Sequence, residues 1–317
     1  MSTTTAKPKS QSRFKEAWQD PSLHLQRVLG MVLLICQGGI TVTGSLVRVT
    51  GSGLGCDTWP LCHEGSLVPV AGAAPWIHQT IEFGNRLLAF VVAAAAVLVL
   101  IAVYKAKRSD AIKTMAWVSF LGVVVQAVIG GISVRLDLQW WSVAVHFLPS
   151  MLLVWVAAVL YMRIAETDAA DPTRRFPAHA QTWTVIAAVA LCFVLVTGTM
   201  VTGSGPHSGD SGVGMEGRLD LDTRMLAYVH AICMYVYLIA TFVVTFILRR
   251  SDAPADAKRT VWVLIALIFV QWAIGVIQFR MGVPRWTIPV HIAMSSTVVA
   301  FSAFLFAHGK RRLPTLV

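Results

Sequence analysis

Eight apolar stretches, each long enough to cross a bilayer, dominate this chain and leave little room for any other fold. A transmembrane helix needs about 20 predominantly apolar residues. Such stretches read at 28–49, 82–104, 113–134, 141–162, 182–203, 224–248, 260–281 and 287–307. The composition agrees, with 56% hydrophobic and 13% charged residues, outside the usual range of a soluble domain. In hydrocarbon, backbone polar groups must be paired within the segment itself, so the expected class is all-α integral membrane with eight transmembrane helices.

The formal charge of +10 would suit a nucleic-acid binder if the basic residues formed one patch, but they fall in alternate loops. Lys7, Lys9, Arg13, Lys15 and Arg27 precede the first span, and Lys105, Lys107, Arg108 and Lys113 fill the next loop on the same side. Arg163, Arg174, Arg175, Arg249, Arg250, Lys258, Arg259, Lys310, Arg311 and Arg312 continue the pattern, so 19 of the 26 Lys and Arg residues share one side. The positive-inside rule assigns that side, and both termini, to the cytoplasm. Membrane lipid is therefore an expected partner and nucleic acid is not. Residues 1–27 lack the apolar core of a cleavable signal and read as a cytoplasmic tail.

An internal repeat organises the spans. Residues 126–147 align without gaps on 271–292, with Gln126/Gln271, Ile129/Ile274, Gly130/Gly275, Ile132/Ile277, Arg135/Arg280, Trp141/Trp286, Val145/Val290 and His146/His291 identical. Composition alone would give roughly two matches. Each half holds four spans, an even number, so the halves share one orientation, as two tandem parallel-oriented four-helix bundles. The expected units are an N-terminal half at 28–165, a cytoplasmic linker at 166–181, a C-terminal half at 182–308 and a tail at 309–317. Thr43-Gly44-Ser45 and Thr202-Gly203-Ser204 echo each other at a longer offset. The first outer loop is longer by the difference, and it contains Cys56 and Cys62.

Ionisable groups inside a membrane are costly and are candidate functional residues. His146 and His291 lie just inside the outer ends of spans four and eight, and His230 lies about 9 Å into span six. The position equivalent to His230 in the first half is Asn85. Histidines projecting inward from facing helices suit bis-imidazole ligation of a haem iron. Hydrogen bonding between helices is the plain alternative, and zinc would need further ligands close by. The outer-rim arginines, above all the repeated Arg135/Arg280 pair, suit carboxylates or simple snorkelling to the interface. Cys56 and Cys62 flank a short loop suited to a disulfide, structural or redox-active. Glu82 has His78 one turn before it and Asn85 and Arg86 one turn after. It reads as a general base, a proton relay or a charge complementing the helix dipole.

The run from Gly51 to Cys62, the segment Ile81-Glu82-Phe83-Gly84-Asn85-Arg86 and the duplicated Gln-x-x-Ile-Gly…His blocks together resemble the haem A synthase family, in a bacterial-type variant. The similarity covers all eight spans. It implies a membrane oxidoreductase of the bacterial cytoplasmic membrane that oxidises the C8 methyl of haem O to a formyl group, making haem A for terminal oxidases. It further implies a haem b cofactor on His230 and His291, with Arg280 beside it. The first half would receive substrate haem, with Glu82 catalytic and Cys56 and Cys62 disulfide-bonded.

Many members have histidine where this chain has Asn85. Substrate haem is then expected on His146, alone or with His63 or His78, and with Arg86 and Arg135 near it. A haem O synthase is the implied upstream partner; the electron donor is left open, and a homo-oligomer is compatible with the family. Two rival readings remain. A non-catalytic b-type cytochrome shuttling electrons from quinol would carry two equivalent bis-histidine sites. A transporter of parallel repeats would carry broken helices at mid-membrane.

Overall fold

The computed structural model describes residues 18–169, 171–207 and 217–312. Eight helices account for most of them: α1 (Leu23–Val49), α2 (Trp76–Lys105), α3 (Asp110–Arg135), α4 (Trp140–Ile164), α5 (Ala178–Ser204), α6 (Thr223–Arg249), α7 (Ala255–Arg280) and α8 (Thr287–His308). Each is long and apolar enough to cross a membrane. Their starts follow capping chemistry. Ser22 and Asp222 accept hydrogen bonds from the amides of Leu25 and Met225, and Pro75, Pro177 and Pro254 stand at the caps of α2, α5 and α7. Arg48, Lys105, Arg135, Arg163, Arg249 and Arg280 sit in last turns, where a cation complements the helix dipole.

Helix α2 begins at Trp76, six residues before its apolar run. The run marks the hydrocarbon, whereas the helix continues into the interface. This places His78 and Glu82 on helix rather than loop.

In the first half, α1 packs on α2 and α4, while α3 bridges α2 and α4. In the second half, α6 lies between α5 and α7, α8 packs on α7, and α5 touches α8. Helices α2 and α4 are thus opposed across one group of four, as α6 and α8 are across the other. The groups meet where α8 lies against α1 and α4, and α4 against α5. Thr41 and Ser296 share a 2.8 Å hydrogen bond on this seam.

One end is closed by charge pairing. The Arg108 guanidinium, 8% exposed, donates to Gln26 Oε1, Asp168 Oδ2 and the carbonyls of Ile164 and Glu166. The linker also pairs with the C-terminal segment, through β1 (Thr173–Arg174) and β2 (Lys310–Arg311). Arg311 reaches both Glu166 and Asp256. The other end carries the disulfide loop.

Candidate haem-binding site

At the disulfide end, Cys56 and Cys62 are bonded, as the sequence suggests. Both are buried, at 0% and 1% exposure, so this is not an exposed disulfide. The loop is fixed to α2 through one carboxylate. Glu82 Oε2 accepts from the Cys56 amide at 2.7 Å, and Oε1 accepts from Arg86 at 2.6 Å. Arg86 also donates to the carbonyls of Leu61 and Cys56. Arg135 donates to the Trp59 carbonyl, and the Trp59 ring packs where a side chain on Gly131 would stand. Both Glu82 oxygens are thus engaged, and Arg86 is spent on the loop rather than held for a substrate carboxylate. Arg135 uses one N–H in the same way.

His63 departs from the expectation that it could ligate iron. Its Nδ1 lies 2.9 Å from Asp57 and its Nε2 2.9 Å from Gln79, so both ring nitrogens are committed within the loop. Gln79 in turn bonds the Val70 amide and the carbonyls of Val70 and Ala74. His78 lines a cavity between α1, α2 and α8 on the seam.

The three intramembrane histidines share a different arrangement. Each ring rests against a glycine of the preceding helix: a Cβ on Gly130, Gly198 or Gly275 would lie 3.1, 3.2 or 3.4 Å from Cε1 of His146, His230 or His291. Larger residues there would displace the rings. A glutamine clasp recurs with the repeat. Gln126 Nε2 donates to the His146 carbonyl and to Ser150 Oγ; Gln271 Nε2 donates to the His291 carbonyl and Ser295 Oγ and approaches His291 Nε2 at 3.0 Å.

Sequence reasoning missed Gly198, the serines and this use of the glutamines. Ser150/Ser295 continue the repeat that relates the glutamines. Gly39/Gly198 match at the same offset as the two Thr-Gly-Ser triplets.

These surroundings suit a haem iron. His230 Nδ1 lies 3.0 Å from the Val194 carbonyl, the bond that fixes the tautomer of a ligating imidazole and leaves Nε2 for a metal. His146 Nδ1 and His291 Nδ1 are buried without a hydrogen-bond partner, a costly state for polar atoms whose site is otherwise complete. Among the described residues no group of three or more His, Cys, Asp or Glu could hold a bare metal ion. The donors come instead from opposed helices, α6 and α8. Arg280, at the end of α7, is exposed and has no hydrogen-bond or ion-pair partner among the described residues.

The first half differs where its sequence differs. Asn85 Oδ1 accepts from Thr43 Oγ1 at 2.7 Å, and a Cβ on the facing Gly39 would meet nothing within 4 Å. The shorter amide side chain pairs with α1 and leaves that glycine uncovered, whereas His230 covers Gly198.

Residues 27–208 match the model of the COX15-CtaA family, described as cytochrome oxidase assembly protein. The chain is similar to the heme A synthase of Bacillus licheniformis, 31% identical over 153 residues, covering 47% of this chain and 48% of the relative. It is similar also to those of Geobacillus thermodenitrificans, 30% over 143 residues (44% and 41%), and an Exiguobacterium species, 34% over 141 residues (43% and 42%). The matched stretches span less than half the length of each relative.

Proposed function

Because the chain belongs to the COX15-CtaA family of cytochrome oxidase assembly proteins, we propose that this multi-pass membrane protein is a haem A synthase, oxidising the C8 methyl of haem O to a formyl group. The observation that carries the reading is the set of histidines seated on glycines, two of which, His146 and His291, have a buried ring nitrogen that lacks a partner. We assign it to a bacterial cytoplasmic membrane with both termini cytoplasmic, on the distribution of Lys and Arg.

The two halves take different roles. His230 and His291 would hold a haem b, which when bound supplies an iron saturated by protein ligands and suited to electron transfer. Val194 orients the His230 ring, Gln271 steadies His291, and Arg280 offers a free guanidinium for a propionate. The first half receives haem O. His146 would hold it, and Asn85, tied to Thr43, offers no second imidazole. A second bis-histidine site is thereby missing, which disfavours the electron-shuttling cytochrome.

Glu82 holds the disulfide loop over the first half through Cys56 and Arg86. Taking up a proton as a general base or relay would neutralise the carboxylate and weaken both charge-assisted bonds, so loop movement and proton transfer would be coupled. Haem O synthase is the upstream enzyme this substrate requires.

The test is pigment extraction from membranes of a host that makes haem O but no haem A, with and without this chain. Haem A appearing only with the chain supports the reading. Unchanged haem O despite folded, membrane-inserted protein refutes it.

A further inference from the structure

A cavity of about 380 Å³ lies on the seam at the disulfide end. Leu46 comes from the end of α1, Ile77, His78 and Ile81 from the start of α2, and Arg285 and Trp286 from the turn before α8. The walls are thus mostly apolar, and the polar groups among the described residues include one imidazole and one guanidinium but no carboxylate. Glu82, one turn from His78, is turned away into its bonds with Cys56 and Arg86.

The charge behind the cavity has the same sign. Arg285 Nε lies 3.4 Å from His207 Nδ1, and Arg48 donates to the carbonyls of His207 and Thr202. No ion pair neutralises Arg48 or Arg285 among the described residues. Burial, then the neighbouring Arg285 guanidinium, holds the His207 imidazole below its ordinary value, with Arg48 adding to the effect and a hydrogen bond at Val283 opposing it. Trp286 and Ile77, each 61% exposed, stand at the mouth, where interfacial tryptophan is common.

We infer that this cavity is a binding site for an anionic phospholipid of the leaflet at the disulfide end, its headgroup phosphate meeting Arg285 and His78 and its acyl chains lying along Leu46, Ile77, Ile81 and Trp286. The lipid would join α1 and α2 to α8, two parts of the chain otherwise held at this end by few polar bonds. A guanidinium offers a phosphate a paired donor fork. This assignment does not rest on the proposed reaction.

Native mass spectrometry of the full chain, purified into detergent and titrated with phosphatidylglycerol or phosphatidylcholine, tests it. One phosphatidylglycerol should be retained, phosphatidylcholine much more weakly. Arg285→Ala should weaken phosphatidylglycerol retention about tenfold, Arg285→Lys less, and Arg224→Ala, at the start of α6, not at all. Gel filtration and circular dichroism confirm that each variant is folded. Equal retention of both lipids, or unchanged retention in Arg285→Ala and Arg285→Glu, overturns the inference. Loss of the bound lipid on adding stoichiometric haem O also overturns it, because the cavity would then belong to the substrate.

Discussion

Replacing Glu82 with glutamine should make the buried disulfide far easier to reduce. Cys56 and Cys62 are 0% and 1% exposed, so a thiol reaches them only when the loop opens, and the reduction rate follows the opening equilibrium. Glu82 closes the loop with two bonds, to the Cys56 amide at 2.7 Å and to Arg86 at 2.6 Å. A glutamine presents one acceptor oxygen and one donor NH₂, so one of those donors must face another donor. A lost bond to a charged acceptor costs about 1.5–3 kcal/mol.

Stripping a buried ion pair can cost about 3–5 kcal/mol. Arg86, however, keeps the carbonyls of Leu61 and Cys56, which limits the loss to about 2 kcal/mol. At about 1.4 kcal/mol per factor of ten, the variant should be reduced about 30-fold faster. The assay is the rate of thiol labelling under dithiothreitol, read by intact mass. Reduction of Glu82→Gln at the parental rate would refute the clamp.

Other sites give further tests. Arg108→Ala strands four acceptors at the opposite end and should cost about 3–5 kcal/mol, read as a clear fall in melting temperature in detergent; an unchanged melt would contradict the network. Burial raises the Asp168 carboxyl, but hydrogen bonds from Ser109 and the Arg108 guanidinium outweigh it and hold the group below its ordinary value. Its stabilisation is therefore complete above the unfolded value of about 3.9 and disappears as pH falls through the lower folded value. The stability gap between parent and Asp168→Asn should be full above about pH 4 and close below it; a gap that widens in acid would show the sign to be wrong. Gly275→Val brings methyl groups into the space of the His291 ring and should abolish haem retention with helix content unchanged in circular dichroism, whereas full haem occupancy would show that the glycine is incidental.

The eight helices were legible because hydrocarbon demands long apolar runs, and only their interfacial turns, such as Trp76 to Ile81, escaped the hydropathy pattern. His146 and His291 were legible through the repeat, and His230 through its depth. The disulfide pairing could be anticipated, but its burial could not. Burial depends on Glu82 reaching a backbone amide 26 residues away, and sequence spacing does not record loop conformation. For the same reason His63 looked available, although Asp57 and Gln79 take both its nitrogens. The union of linker and C-terminal segment through Arg311 was hidden too, since a basic loop reads only as a topology signal. Gly198 was within reach, through the match between Gly39 and Gly198.

The division of labour between the halves is tested most directly by measuring haem content and haem A formation on the same purified samples of the parent, His291→Ala and His146→Ala, all expressed with haem O supplied. The account predicts that His291→Ala loses the resident haem b absorption, while His146→Ala keeps that absorption but yields no haem A. A parent without bound haem, or a His146→Ala variant that still makes haem A at the parental level, would contradict it.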